Sequence, residues 1–280
     1  MQPIISIIDA ALLGLIEGLT EFLPVSSTGH LILAAAWLDL YRNPAAKAGI
    51  DAFGIVIQSG ALLAVAGIYA PQIRSILLGL SGRDPAGRRL LLLLMAGFLP
   101  AAIIGLLAES YIKATLFDIG PVAGALAVGG LCMIVIERRS RRKPRVDPCW
   151  QEKQVFDMTI RSALVIGVSQ CIAMWPGTSR SMVTIMAARL LGFQPKVAAE
   201  FSFLLSLPTL GGATFYEFCQ QGPMLLRSTG PVVLMLGLSV SWLVAWLAVK
   251  GFLAYLNRNG MEIFGWYRIL LAGVLLLWFF

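Results

Sequence analysis

The stretch EGLTEFLPVSSTGH, residues 17–30, interrupts an otherwise apolar segment that runs from residue 4 to residue 40. Two glutamates, the helix breaker Pro24, several hydroxyls and one imidazole would face lipid if this segment were a straight membrane-spanning helix. Burying such groups without partners costs several kcal/mol. A re-entrant hairpin, which enters and leaves on one side of the membrane with its tip shielded by protein, avoids the cost. The stretch therefore predicts a helical hairpin with a polar tip.

A second segment, residues 160–190, follows the same pattern. It is apolar at both ends and polar in its middle, where PGTSRS occupies residues 176–181. The segments and their continuations align in order: GLIE (14–17) with GVSQ (167–170), PVSS (24–27) with PGTS (176–179), and FGIVIQ (53–58) with FSFLLS (201–206). Ordered similarity indicates an internal duplication. We expect a single integral membrane domain, 1–280, with repeat 1 at about 1–118 and repeat 2 at about 119–280.

Apolar runs dominate the rest of the chain. Of the 280 residues, 58% are hydrophobic and only 13% are charged, which excludes an ordinary soluble domain. A transmembrane helix needs about 20 apolar residues. Runs of this length lie at about 50–70, 90–108, 119–137, 198–218, 228–249 and 263–280. The fold class that we predict is an all-α polytopic membrane protein, with about six transmembrane helices plus two re-entrant helical hairpins in an inverted-topology repeat.

Positive charge is distributed unevenly between the two sides of this topology. If each long run crosses the membrane, one side receives sixteen of the 22 Lys and Arg residues, including the run Arg138–Arg145. The other side receives four: Arg42, Lys47, Lys113 and Arg227. The basic side is predicted to be cytoplasmic and both termini to face outward. We attribute the net charge of +7 to basic residues that lie beside anionic lipid headgroups, and we expect no nucleic-acid partner.

Two features that could have indicated other classes are absent from the sequence. No Lys or Arg precedes Arg42, so we do not expect a cleaved secretory signal. The four cysteines, Cys132, Cys149, Cys171 and Cys219, are scattered without a CxxC pair. This spacing argues against a thiolate metal site and against a disulfide framework.

The polar tips contain the residues that could do chemistry. Glu17 and Glu21 share a helix face, and two carboxylates at membrane depth repel unless a cation lies between them. Oxygen ligands suit Mg²⁺ or Ca²⁺. Ser27 is three residues before His30, the only histidine of the chain, and serine with a nearby base is a pattern for nucleophilic attack. A structural role for such a lone histidine is an equal alternative.

Arg180 falls where the second half of the second hairpin should begin. Free backbone N–H groups at a helix N-terminus bind phosphate, and arginine adds a planar fork for phosphate oxygens. The alternative is a helix cap with an arginine that extends towards the interface. If the two half-helices meet near the midplane, they combine carboxylates, hydroxyls, an imidazole and a guanidinium in one anion-binding pocket.

The first polar stretch, EGLTEFLPVSSTGHL (17–31), resembles the first signature of the bacitracin-resistance type undecaprenyl-diphosphatases. PGTSRS (176–181) together with Thr184 resembles their second signature. The resemblance covers essentially the whole chain. One departure is Met182, where the family usually has glycine, and it should crowd the start of that helix.

This resemblance implies hydrolysis of undecaprenyl diphosphate to the monophosphate, which recycles the lipid carrier of cell-wall synthesis. It also implies bacitracin resistance, because the antibiotic competes for the substrate. The expected location is the bacterial cytoplasmic (inner) membrane, with a site open to the periplasmic side. The site residues that we predict are Glu21, Ser27, His30 and Arg180 (catalytic), Ser26, Thr28, Gln170, Ser179, Ser181 and Thr184 (substrate-binding), and Glu17 with Glu21 (a divalent cation, Mg²⁺ or Ca²⁺).

We expect Ser27 to attack the terminal phosphorus with help from His30, while Glu21 orients the imidazole or holds the metal. Direct attack by water fits the same residues.

Inverted repeats with broken helices are also a transporter architecture, so a transporter or flippase of a phosphorylated lipid or small anion is the alternative function. Gly14 and Gly18 form a small-xxx-small face, which would serve either a homodimer or helix packing inside the chain.

Overall fold

The computed structural model describes residues 5–41, 44–116, 119–142 and 154–279. Within these ranges the chain is helical and contains no strand, which confirms the all-α prediction. Arg42, Cys149 and the end of the basic run (Lys143 and Arg145) lie outside the described residues. The eleven α-helices of the described ranges are α1 Ile7–Thr20, α2 Ser27–Trp37, α3 Pro44–Ile68, α4 Ala70–Leu80, α5 Pro85–Thr115, α6 Ile119–Arg142, α7 Ile160–Gln170, α8 Arg180–Leu190, α9 Pro195–Thr229, α10 Pro231–Leu256 and α11 Glu262–Phe279.

Five helical stretches of the described chain are long and apolar enough to cross a membrane: Gly49–Ile68, Pro85–Ala108, Gly120–Ser140, Pro231–Leu256 and Glu262–Phe279. They correspond to five of the six predicted runs and confirm a multi-pass membrane protein. The remaining run, 198–218, lies inside α9, which has 35 residues but is not among the five stretches.

Both polar segments form pairs of short helices. The first pair, α1 and α2, has 14 and 11 residues, and the second pair, α7 and α8, has 11 residues in each helix. At about 1.5 Å per residue, none of these helices reaches across about 30 Å of hydrocarbon. Neither polar segment forms an uninterrupted spanning helix, as predicted.

The two pairs are equivalent in their backbone. Ser26 caps α2 with φ 73° and Ser179 caps α8 with φ 70°, a region that non-glycine residues rarely adopt. The same sequence offset relates Ser26 to Ser179, Ser27 to Arg180, and Glu17 to Gln170. The prediction that paired PVSS with PGTS was wrong by one residue, because it matched the two prolines instead of the two capping serines. Ser27 therefore corresponds to Arg180.

Glycines let each pair pack closely against a long helix of the other half of the chain. A Cβ added to Gly14 in α1 would lie 2.5 Å from the Gly237 carbonyl oxygen in α10, and one added to Gly18 would lie 2.5 Å from that of Ser241. In the second half, α7 packs through Gly167 against Gly97 of α5. The small-xxx-small face of α1 is thus used inside the chain.

The order of the helices bears on the predicted duplication, which stays a prediction. When α6 is counted with the first half, each half has a short-helix pair and then three long helices: α3, α5 and α6, then α9, α10 and α11. The first half has in addition the short helix α4 between α3 and α5. In addition, α6 and α11 pack against each other through Gly130 and Gly265. This order favours a boundary after Arg142 over the predicted boundary at 118/119.

Candidate active site

The carboxylate of Glu21 joins three parts of the fold. Glu21 follows the last residue of α1, and only 7% of its surface is exposed. Its Oε2 accepts a hydrogen bond of 2.7 Å from the Ser27 hydroxyl and one of 3.4 Å from the Gln58 amide in α3. Its Oε1 forms an ion pair of 3.3 Å with Arg180 Nη2. The tips of the two hairpins therefore meet at this carboxylate, as the sequence predicted.

The Arg180 guanidinium group is held by a backbone carbonyl group and an aromatic ring in addition to Glu21. Nη1 donates to the carbonyl oxygen of Ser202 in α9 at 2.9 Å, and the group lies 5.6 Å from the centre of the Phe22 ring. Phe22 in turn makes an edge-to-face contact with Phe203, with 5.3 Å between ring centres. A buried ion pair costs several kcal/mol when one partner is removed, because the other charge is then uncompensated. The contacts fix Arg180 beside Glu21.

The hydroxyls near Arg180 divide into two groups. Ser181 donates to the Leu23 carbonyl oxygen at 3.0 Å, and Thr184 lies 2.6 Å from the Ser202 hydroxyl. Ser181 and Thr184 are fully buried, so in this structure they tie the hairpins to their neighbours. Ser179 caps α8 by accepting from the Met182 N–H at 3.3 Å. Ser27, Thr28 and Ser179, unlike Ser181 and Thr184, are only partly buried and are the more accessible hydroxyls.

His30 does not pair with Ser27 as expected. Its Nδ1 lies 2.7 Å from the Ser26 carbonyl oxygen and its Nε2 lies 2.6 Å from the Tyr267 hydroxyl. Because a carbonyl can only accept, Nδ1 carries the proton, and in the neutral ring Nε2 accepts from Tyr267. The Ser27 hydroxyl donates to Glu21 instead, so the carboxylate, and not the imidazole, is the base in contact with Ser27. The expected orientation of the imidazole by Glu21 is also not seen.

Glu17 and Gln170, which are equivalent positions of the two hairpins, are both buried. Glu17 is 1% exposed, and neither of its carboxylate oxygens accepts a hydrogen bond from the described residues. The amide of Gln170 likewise has no hydrogen-bond partner there. Buried polar groups normally have partners, so these two positions indicate a place for a bound group.

The carboxylates of α1 fit a divalent cation only in combination with other ligands. The described residues contain no cluster of three or more His, Cys, Asp or Glu side chains. Magnesium is often held by one or two carboxylates plus substrate phosphate oxygens. The unpartnered oxygens of Glu17, one helical turn before Glu21, agree with that mode of binding.

Four polar residues at the site were missed by the sequence interpretation. Gln58 and Ser202 contact Glu21 and Arg180, Tyr267 contacts His30, and Arg268 contacts the backbone of both hairpin tips. Each lies in an apolar run for which the sequence predicts only a membrane span. A charged or polar residue inside such a run was the available signal, and Arg268 in the final run carried it most strongly.

Met182 fits without disturbing α8. Its side chain is buried, and its terminal methyl group lies where a side chain at Gly129 would be: a Cβ added there would lie 2.9 Å from it. The expected crowding is therefore relieved by a glycine on α6.

The fold and the site define a multi-pass membrane protein with a polar centre, in which the Glu21 carboxylate is in contact with both a hydroxyl and a guanidinium. The family model described as "Bacitracin resistance protein BacA" matches residues 10–274, and the chain belongs to this family.

Curated relatives agree over nearly the full length. The chain is 51% identical over 271 residues to an undecaprenyl-diphosphatase of Sorangium cellulosum, covering 96% of this chain and 85% of the relative. It is 42% identical over 273 residues to an undecaprenyl-diphosphatase of Rhizorhabdus wittichii, covering 98% and 97%. It is also 42% identical over 275 residues to undecaprenyl-diphosphatase 2 of Rhodospirillum rubrum, covering 98% and 96%.

Proposed function

We propose that this chain is an undecaprenyl-diphosphatase, which hydrolyses undecaprenyl diphosphate to undecaprenyl phosphate and inorganic phosphate. Family membership and the names of its relatives support the activity. The observation that carries the proposal is the hydrogen bond of 2.7 Å between Ser27 and Glu21, with Arg180 on the other oxygen of the same carboxylate. Phosphoryl transfer needs a nucleophile, a proton acceptor and positive charge close together.

The contacts favour Glu21 as the proton acceptor. In the first step the Ser27 oxygen forms a bond to the terminal phosphorus, the bond from that phosphorus to the bridging oxygen breaks, and undecaprenyl phosphate leaves. The hydroxyl proton passes to Glu21 along the existing hydrogen bond. A water oxygen then forms a bond to the phosphoserine phosphorus, the bond from phosphorus to the Ser27 oxygen breaks, and inorganic phosphate leaves. Glu21 returns its proton to the Ser27 oxygen, which restores both residues. In the alternative mechanism a water takes the place of Ser27, with the same acceptor.

Proton transfer to Glu21 also changes the environment of Arg180. While Glu21 is ionised, its negative charge compensates the positive charge of Arg180, with 3.3 Å between Glu21 Oε1 and Arg180 Nη2. Once the carboxylate is protonated, this attraction weakens and the positive charge is available to phosphate oxygens, where negative charge spreads in the transition state. The first turns of α2 and α8 would add backbone N–H donors for phosphate, apart from those of Gly29 and Met182, which the capping serines already bind.

A divalent cation completes this proposal. Glu17 and Glu21 would hold Mg²⁺ or Ca²⁺ together with diphosphate oxygens, and the ion would neutralise phosphate charge. The residues of the chain keep the tasks described above: Ser27 attacks, Glu21 accepts the proton, and Arg180 binds the phosphate.

The cellular setting follows from the same proposal. The protein would act in the bacterial inner membrane with its site open to the periplasmic side and would recycle the lipid carrier for peptidoglycan. Bacitracin would compete for the lipid diphosphate, and the polyprenyl tail would lie among the lipid-facing helices. The excess of Lys and Arg on one predicted side supports this orientation.

Phosphate release from a polyprenyl diphosphate in detergent tests the function. We expect the wild type to release one phosphate per lipid, and Arg180→Ala to lose this activity. Arg258→Ala is the matched control, because Arg258 is exposed in the α10–α11 connection. A purified, folded wild type that binds the lipid without releasing phosphate would contradict the proposal and favour the transporter alternative.

A further inference from the structure

Arg268 is a fully buried arginine whose hydrogen bonds go to backbone carbonyl groups. Its exposed fraction is 0%. Nη1 donates to the Pro24 carbonyl oxygen at 3.4 Å, and Nη2 donates to those of Ala125 and Gly177 at 3.2 and 2.9 Å. A buried cation is costly unless it is compensated, and here carbonyl dipoles from three different parts of the chain surround it.

The acceptors are not a random set. Pro24 and Gly177 are related by the same sequence offset that relates the capping serines Ser26 and Ser179. One guanidinium group on α11 therefore binds the same backbone position of both hairpin tips. Its planar fork suits this arrangement, because its N–H groups point in several fixed directions.

The surrounding backbone leaves room for this group. A Cβ added to Gly129 on α6 would lie 2.5 Å from Arg268 Nη2. Gly177 has φ +91°, which a side chain would strain, and a Cβ there would lie 2.5 Å from the Val122 carbonyl oxygen. Two glycines thus allow the guanidinium and the second tip to approach α6 closely.

We propose that Arg268 is a positioning residue that holds the two hairpin tips together, so that Glu21 and Ser27 of one tip meet Arg180 of the other. The loop that contains Pro24 connects Glu21 to Ser27, and Gly177 is three residues before Arg180. Movement of either loop would change the distances that join these three side chains. The inference rests on the proposed phosphatase activity for its kinetic consequence, but the distance between the hairpins tests it independently.

Arg268→Lys is the informative substitution. It keeps the positive charge but loses the planar fork, so it cannot reach three carbonyl groups in different directions. We expect kcat to fall about 100-fold, as displaced reacting groups do, while KM changes little. Arg258→Lys, at an exposed position, is the matched control and should retain wild-type kinetics. A lysine variant with wild-type kcat would overturn the inference.

Distances between spin labels separate positioning from a general loss of stability. Trp37 at the end of α2 and Leu190 at the end of α8 are exposed (67% and 63%), and both can be changed to cysteine in a chain whose four native cysteines are replaced. We expect a narrow distance distribution with Arg268 and a broad one with Arg268→Lys. A lower melting temperature with an unchanged, narrow distribution would show a merely structural role and overturn the inference. Absence of phosphatase activity in the wild type would instead reject the proposed function and leave this distance test intact.

Discussion

Ser27 and Arg180 are the first residues of two equivalent 11-residue helices, and both bind the carboxylate of Glu21. The same backbone position therefore carries a hydroxyl in one hairpin and a guanidinium in the other. If the halves arose by duplication, one position has diverged into a predicted nucleophile and a predicted phosphate ligand. Glu21 is the residue on which both roles depend.

Replacing Glu21 by glutamine should abolish most of the activity. The amide can still accept a hydrogen bond from Ser27 but cannot take its proton, so we expect kcat to fall about 10³-fold, within the range of general-base catalysis. The variant should also be less stable, because Arg180 loses its buried counter-charge. Phosphate release and thermal unfolding measure the two effects. Glu262→Gln is the control, since Glu262 pairs with the exposed Arg138; equal losses in both variants would contradict the role of Glu21.

The Ser27→Ala variant decides between attack by serine and attack by water. If Ser27 is the nucleophile, the variant should be inactive, and mass spectrometry of the quenched wild type should find a phosphate on Ser27. Ser169→Ala is the matched control, because its hydroxyl bonds only to a backbone carbonyl of its own helix. A Ser27→Ala enzyme with near-normal kcat would exclude the serine mechanism and retain Glu21 as base for a water.

The sequence predicted the broken helices because each segment of spanning length has polar residues and a proline in its middle, which a straight helix would bury in lipid. It also predicted that Glu21 and Arg180 would meet, since an inverted topology brings both tips to the same depth. It could not predict that Ser27 would bond to Glu21 instead of His30. Both residues are within reach of Ser27 along the chain, and the choice depends on the Ser26 carbonyl and on Tyr267, which is distant in sequence.

The residues that complete the site were missed for a related reason. Gln58, Ser202 and Arg268 are polar residues in long, mainly apolar runs, and their partners are fixed by helix packing, which spacing within one segment does not show. The alignment error of one residue had a local cause. An alignment on the two prolines differs by one residue from the backbone geometry that the two hairpins share, which is the positive φ at Ser26 and Ser179.

Tyr267→Phe should test the orientation of His30. The substitution keeps the stacked ring, whose centre is 5.6 Å from the imidazole, and removes only the hydroxyl bound to Nε2. One neutral hydrogen bond is worth about 1 kcal/mol, so we expect activity to fall about fivefold if His30 contributes to turnover. In the double variant with His30→Gln the effect of Tyr267→Phe should disappear. Additive losses would show that Tyr267 acts without His30.

Removal of divalent cations should abolish the activity of the wild type, whereas it should leave the Glu17→Gln variant more stable than the wild type. We expect a chelator to abolish phosphate release by the wild type, and Mg²⁺ to restore it. Glu17→Gln should need a higher Mg²⁺ concentration for half-maximal activity, because the ion loses a charged ligand. Without metal the variant should be more stable than the wild type by about 1 kcal/mol, since a buried negative charge beside Glu21 is removed. Full activity in the chelator would contradict the cation site.

Gly14→Ala should lower both stability and activity, because α1 carries Glu17 and Glu21. The added methyl group would lie 2.5 Å from the Gly237 carbonyl oxygen, so α1 must move away from α10, at a cost of about 2 kcal/mol for overpacking. Gly124→Ala is the matched control, because a Cβ there has no atom within 4 Å. Thermal unfolding should separate the two variants, and phosphate release should fall only for Gly14→Ala. Since the glycine packs inside the chain, a change in oligomeric state with unaltered stability would contradict this assignment.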